Sequence, residues 1–254
     1  MNMCDCSEWT VRGCDDSALL RRERLTPLSA VETFVPGLVT YSLAQPAQPI
    51  QRELAIVFVD IADSTRMVVR QAPEVALAIT QRVMRLVTEI ALAHCGDVKD
   101  YEGDGALLYF GSIVHAAKAA LALRAALGED HQRGNLPVQA RLSVHVGDVI
   151  IGEIGSPPRR SVAVIGPAVS LAARLLKHIP PGGVIAPQAT IERLQRDAPE
   201  VAEQFQLLGP CVVLRGFEEE CVTAYHIPPP GAPVPGSRSV NENSSHCHTP
   251  VSTP

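Results

Sequence analysis

Apolar runs bounded by polar residues divide residues 53–227 into alternating strands and helices. Leu54–Asp60 is apolar up to its final aspartate and reads as a buried strand. Pro73–His94 sets Val75, Ile79, Val83, Leu86, Val87 and Ile90 on one stripe at three- and four-residue spacing, which predicts a long amphipathic helix. Asp97–Tyr101 and Ala106–Phe110 read as short strands. The hairpin turn between them, Glu102-Gly103-Asp104-Gly105, has Asp-Gly at its centre. His115–Leu127 is an alanine-rich helix. Gln139–Val146 alternates Ala140, Leu142, Val144 and Val146 with polar neighbours, as a half-buried strand does, and Val149–Ile154 continues after a turn at Gly147-Asp148. Val162–Ile165 is a strand leading through Gly166-Pro167 into a helix, Ala168–Lys177, with proline near the first helical position. Val184–Ala186, a helix from Gln188 to about Arg196, and strands at Val212–Arg215 and Cys221–His226 complete the series. This mixed order, with hairpins among the helices, predicts an α+β sandwich with a mixed or largely antiparallel sheet.

The flanks differ in character. Residues 1–52 combine charge clusters with Pro27, Pro36, Pro46 and Pro49 and read as a partly disordered extension, with a short helical stretch near Ser17–Arg24. Residues 228–254 are rich in Pro, Ser, Asn and Gly and read as a disordered tail. The packed domain is therefore expected at 53–227.

Composition narrows the class. A chain of 254 residues with 46% hydrophobic content supports one full domain. A net charge of −5 argues against a nucleic-acid binder, and 4% aromatics argue against a base-stacking platform. No apolar run reaches the roughly 18–20 residues that cross a bilayer. The N-terminus lacks the basic-then-apolar layout of a signal peptide, so a cytoplasmic location is expected. There Cys4, Cys6, Cys14, Cys95, Cys211, Cys221 and Cys247 are expected mostly as thiols. The spacing of Cys4, Cys6 and Cys14 matches no common zinc pattern, and His246 and His248 around Cys247 belong to the polar tail.

The candidate chemistry lies in two acidic motifs. Asp60 ends an apolar strand, and Asp104 sits in the hairpin turn. An acid beside buried strands is costly to keep unless a cation uses it, and two brought together make an oxygen-rich site suited to Mg²⁺. The residues after Asp60, Ile61, Ala62, Asp63, Ser64 and Thr65, lead toward a helix. Their backbone N–H groups suit an anion, and Asp63 and Ser64 suit helix caps.

Five segments together, FVDIADST, GDVKDYEGDGALLYF, VHVGDVIIGEIG, VIGPAVSLAARL and LRGFEEECVTAYHI, resemble the catalytic domain of class III nucleotidyl cyclases, in the family order and with family-like spacing. The resemblance runs from Leu54 to about Ile227. It implies a ferredoxin-like α/β sandwich with a mostly antiparallel sheet. It implies two domains paired head to tail, a homodimer or a heterodimer with another cyclase domain, with sites in the cleft between them. It implies that Asp60 and Asp104, with the backbone of Ile61, hold two Mg²⁺ or Mn²⁺ ions. The reaction implied is in-line attack of the ribose 3′-oxygen on the α-phosphorus of a nucleoside triphosphate, with pyrophosphate leaving. Arg174 matches the arginine that stabilises transition-state charge, and Arg215 is the nearest candidate for a basic triphosphate contact. Phe217 stands at the usual lysine position.

Three positions depart from the family pattern. Ser170 replaces the transition-state asparagine, keeping a hydroxyl but losing reach and an amide donor. Asp100 occupies the first base-reading position, where lysine suits adenine and glutamate suits guanine. Lys99 lies next door, but adjacent strand residues point to opposite faces, and only a bulge brings Lys99 into the site. Ala163, at the second base-reading position, offers neither donor nor acceptor. ATP is favoured over GTP because most bacterial-type members make cyclic AMP. A guanylate or relaxed-specificity cyclase is the variant that Asp100 suggests. A catalytically weak regulatory or dimerisation module is the alternative suggested by the three departures together.

Overall fold

The computed structural model describes residues 49–156, 159–217 and 221–230. The helical stretch near Ser17–Arg24, Cys4, Cys6, Cys14, Cys247 and most of the polar tail lie outside the described residues. Eight strands form one sheet: β1 (Ile50–Ile61), β2 (Gly96–Glu102), β3 (Gly105–Phe110), β4 (Ala140–Ser156), β5 (Arg159–Ile165), β6 (Val184–Pro187), β7 (Gln206–Val212) and β8 (Val222–Ile227). Six helices accompany them among the described residues: α1 (Ser64–Arg70), α2 (Pro73–Ala93), α3 (Ile113–Gln132), α4 (Pro167–Leu175), α5 (Gln188–Asp197) and α6 (Pro199–Ala202).

The strand order is β2-β3-β1-β4-β6-β8-β7, and β5 pairs with the outer part of β4. Only β4 and β6 run parallel, so the sheet is mostly antiparallel as expected. One face is covered by α2, α3 and α5. Val57, Val59, Leu108, Val144, Val83, Val87 and Leu123 meet there in the main core. The opposite face carries a smaller cluster, Ile56, Leu107, Tyr109, Val149 and Val164, covered by Ala168 and Ala172 of α4.

The sequence expectations need five local corrections. The turn anticipated at Gly147-Asp148 does not occur: β4 runs unbroken from Ala140 to Ser156 because β1 pairs with it on both sides of that point, Ala55 opposite Val146 and Arg52 opposite Val149. Gly147 serves packing instead, since a Cβ there would lie 3.0 Å from Ala168 Cβ. The hairpin between β2 and β3 centres on Gly103-Asp104, not Asp-Gly. Glu102 pairs with Gly105, and Gly103 takes φ +65°, as the first position of a tight two-residue loop requires. Val75, placed on the apolar stripe of α2, is exposed, and the buried face begins at Ala76. The chain at Val212–Arg215 is not a strand: β7 ends at Val212, and the N–H of Phe217 donates to the carbonyl of Leu214 in a turn. Finally, Cys211 and Cys221 are joined by a disulfide rather than left as thiols.

Candidate active site

Asp60 lies near the end of β1, directly opposite Gly105 of β3 and Arg141 of β4. Strand periodicity puts Asp60 on the same face as Phe58, away from α2 and α3. The next residue returns the chain to the turn: the Ile61 N–H donates to the carbonyl of Asp104 at 3.2 Å. That bond holds the two aspartates side by side. The consequence is electrostatic. Partial burial, and then the neighbouring Asp104 carboxylate, raise the pKa of Asp60, and Arg141 only partly offsets them.

Arg141 is the residue the sequence did not disclose. Its Nη1 is 3.7 Å from Asp60 Oδ2 and its Nη2 is 3.9 Å from Asp63 Oδ1, while its Nε donates to the carbonyl of Ile179 at 3.2 Å. In sequence it is merely the polar partner in an alternating strand. Only the register of β1 against β4 reveals what it faces.

Asp63 and Ser64 do not cap α1 with their side chains. Asp63 is the N-cap by position, with φ 56°, but it makes no side-chain cap bond because its carboxylate turns toward Arg141. The anion-binding expectation for Ile61–Thr65 also divides. The N–H groups of Ile61 and Ala62 are taken by the carbonyls of Asp104 and Gln139. Those of Asp63, Ser64 and Thr65 have no backbone acceptor among the described residues.

A second group assembles elsewhere on the same face. Lys99, Asp100, Ala163, Ser170 and Arg174 line one open depression of about 440 Å³. Its floor includes Phe58 and Leu107, and its walls come from β2, β5 and α4. Ala163 is buried opposite Gly152 of β4. Ser170 and Arg174, four apart on α4, share one helix face. Arg174 is exposed and has no ion-pair partner among the described residues, so its charge is not spent on the helix surface. The helix is fixed beneath them: Ser143 Oγ donates to the carbonyl of Ala172 at 2.7 Å. Gly166 presses against β4, where a Cβ would come within 2.6 Å of the Asp148 carbonyl oxygen.

The condition for Lys99 to reach this depression is met. The pairing of β2 with β3 slips between Val98, opposite Leu108, and Asp100, opposite Leu107, leaving Lys99 as the extra residue of a β-bulge. Lys99 is 7% exposed, and its Nζ lies 3.5 Å from Asp100 Oδ2. Asp100 Oδ1 accepts from the Tyr101 N–H at 3.0 Å. Both oxygens of Asp100 thus have partners within the strand.

Arg215 is not brought to the depression. It sits exposed on the turn after β7, above Leu214, which is buried against Leu175, Ile179, Ile185 and Ala224.

The sequence matches the family described as adenylate and guanylate cyclase catalytic domain over residues 46–223. The chain belongs to that family. Among curated relatives, an uncharacterised protein of Mycobacterium tuberculosis is 32% identical over 188 residues, 71% of this chain and 33% of its own length. An uncharacterised protein of Mycobacterium bovis is 35% identical over 176 residues, 66% of this chain and 30% of its own. The chain therefore spans about a third of these relatives. Among solved structures, the adenylyl cyclase CyaB from P. aeruginosa aligns with TM-score 0.63 and 20% identity, over 71% of this chain and 95% of that one. The guanylyl cyclase Cya2 aligns with TM-score 0.58 and 22% identity, over 72% and 95%. At such identities the structural likeness establishes the cyclase catalytic fold.

The two aspartates suit the divalent cation used by cyclases generally. No cluster of three or more His, Cys, Asp or Glu side chains exists among the described residues. A pair of carboxylates that repel each other at one strand end matches an ion that takes few protein ligands and completes its shell with phosphate oxygens and water. No described helix is long and apolar enough to cross a membrane.

Proposed function

We propose that this domain is an adenylate cyclase, converting ATP to 3′,5′-cyclic AMP and pyrophosphate at a site shared between two protomers. The observation that carries the choice of ATP is the bulge at Lys99. A buried ammonium at the base-reading depression donates to the N1 acceptor of adenine, whereas guanine presents an N1–H donor there. Asp100, the residue that favoured guanine from sequence alone, has its oxygens engaged by Lys99 and by the Tyr101 N–H.

In this reading one protomer contributes Asp60, Asp104 and the Ile61 carbonyl, which would hold Mg²⁺ or Mn²⁺. The chemistry such ions supply when bound is activation of the 3′-hydroxyl and neutralisation of the β- and γ-phosphates. Arg141 adds a fixed positive charge beside them. The N–H groups of Asp63, Ser64 and Thr65 face the phosphates. The other protomer brings the depression: Lys99 selects the base, Ser170 positions the ribose, and Arg174 forks onto phosphate oxygens as charge builds in the transition state. Arg215, which lies outside the depression on the β7–β8 turn, is assigned a contact with the triphosphate, whose phosphates extend away from the base. Such a site is incomplete in one chain, so a homodimer, or a heterodimer with another cyclase domain, is required.

The test is direct. Purified protein is incubated with ATP or GTP and with Mg²⁺ or Mn²⁺, and the cyclic products are separated and quantified. Cyclic AMP from ATP is expected. Cyclic GMP alone overturns the choice of base. Absence of any product at high protein concentration overturns the activity and favours the regulatory-module alternative suggested by Ser170 and Ala163.

A further inference from the structure

The disulfide between Cys211 and Cys221 lies on the edge pair of strands whose ladder is irregular. Cys211 precedes the last residue of β7, Cys221 directly precedes β8, and both are exposed. The ladder between these strands slips twice, between Leu207 and Gly209 and between Gly209 and Val212. Pro210 contributes no N–H, and its carbonyl is met by the Thr223 hydroxyl at 2.9 Å instead. Backbone pairing therefore pins this end weakly, and the covalent bridge closes it just beside the final pair, Val212 opposite Val222.

What the bridge closes is the turn that packs against α4, the helix carrying Ser170 and Arg174. Leu214 is 1% exposed and packs with Leu175, Ile179, Ile185 and Ala224, while Leu171 and Phe217 press on the same cluster. Leu175 follows Arg174 directly, and Leu171 follows Ser170. The turn thus supports the end of α4 on one side and displays Arg215 on the other.

We infer that the Cys211–Cys221 bridge is a reversible modification site, and that its thiol–disulfide exchange with a cellular dithiol sets how tightly the domain binds its triphosphate. The effect on nucleotide rests on the phosphate role proposed for Arg215. The exchange is balanced. A thiolate of the dithiol attacks one sulfur, the Cys211–Cys221 bond breaks, and a mixed disulfide forms. The second thiol of the reductant displaces the cysteine, two electrons having passed to the protein. The released thiolates take up two protons, and the dithiol leaves as its disulfide. An oxidised dithiol runs the sequence backwards. Solvent-exposed bridges belong to the labile, regulatory class.

With the bridge closed, Leu214 and Arg215 are held. With it open, the turn loses its covalent tie and keeps the irregular ladder, the packing of Leu214 and the Phe217-to-Leu214 hydrogen bond. Loss of one well-placed charge-assisted phosphate contact corresponds to a change in affinity of about fivefold to tenfold.

The experiment uses the full chain, purified without reductant and compared with the same protein after dithiothreitol. Alkylation with mass analysis should show Cys211 and Cys221 protected before reduction and labelled after it. Affinity for a fluorescent ATP analogue should fall by about fivefold to tenfold on reduction, and the KM for ATP should rise with little change in kcat. The double variant C211S/C221S should bind weakly in both conditions. That control separates this bridge from the other cysteines. Amide hydrogen exchange over residues 212–217 should quicken on reduction, a readout that needs neither turnover nor the double variant. Free Cys211 and Cys221 before reduction, an affinity indifferent to redox state, unchanged exchange at the turn, or a double variant that still responds would each overturn the inference. Redox-dependent binding and exchange without any cyclic product would sink the cyclase reading and leave this one standing.

Discussion

The ammonium of Lys99 stands 3.5 Å from Oδ2 of Asp100, its own neighbour in sequence. Two adjacent residues on a regular strand point to opposite faces, so this contact exists because the strand bulges between Val98 and Asp100. A position that looks acidic in one dimension has a buried cation beside it in three.

Lys99→Ala should therefore erode the preference for ATP over GTP. Removing a hydrogen bond from a charged donor costs about 1.5–3 kcal/mol, or roughly tenfold to a hundredfold in relative kcat/KM. Competition assays with both nucleotides read the ratio directly. Asp100→Asn should keep ATP as substrate with a smaller loss, because the amide still accepts from the Tyr101 N–H. A variant at Lys99 with an unaltered ratio would remove this residue from base selection.

Arg141→Ala should lower kcat/KM by about tenfold or more, as losing one charge near transferring phosphates does. The ATP-to-GTP ratio should stay where it was, since the proposed site puts Arg141 beside Asp60, away from the depression that holds Lys99. Asp104→Ala should abolish turnover while size-exclusion chromatography shows the oligomeric state unchanged.

Ser170→Asn restores the amide that the family places one turn before Arg174. If the serine limits the rate, kcat should rise by about tenfold to a thousandfold, the range seen when single transition-state donors are added or lost. An unchanged kcat would show that the ribose is positioned by another group.

Asp97 offers a test of stability against pH. Burial pushes its carboxyl up to about 6, and the hydrogen bond from the Val98 N–H only partly offsets this. The folded state then binds more protons than the unfolded state between about pH 4 and pH 6, so this group lowers stability as pH rises through that window. Asp97→Asn should raise the melting temperature at pH 7.5 and leave it nearly unchanged at pH 4. After allowance for partial solvent screening the gain is about 1–2 kcal/mol. Equal gains at both values would mean that charge is not the cause.

Gly166→Ala should destabilise the domain and disturb α4 together. The new Cβ meets the Asp148 carbonyl oxygen and the Val149 Cα, which are backbone atoms unable to rotate away. Overpacking of this kind costs about 1–3 kcal/mol. Thermal melting measures the loss, and ATP turnover reports the displacement of Arg174.

Much of the fold was legible because period and punctuation agreed. The long α2 has one apolar stripe, β1 contains the continuous apolar run Leu54–Val59, and Pro167 stands at the start of α4. Asp60, Asp104 and Arg174 were legible because each lies in a motif whose neighbours are structurally constrained. Their functional roles remain proposals that the variants above address. The missed features depend on pairing between distant segments. Arg141 means little until β1 is laid beside β4, and the bulge at Lys99 exists only relative to β3. β7 went unseen because it is an exposed edge strand containing Gly209 and Pro210, with no alternation to betray it.

The unbroken course of β4 has one more consequence. It begins beside the paired aspartates with Arg141 and ends in the ladder with β5, the strand that carries Ala163 and leads on to Ser170 and Arg174. Its ladder with β1 runs from Ala140 to Ile151 and its ladder with β5 from Ile150 to Ser156, so the two overlap and the strand is continuous between them. In a symmetric pair, the phosphate end of one catalytic centre and the base end of the other would ride on the same stiff beam. The two centres of such a dimer would share a common frame, and adjusting one would reset the other.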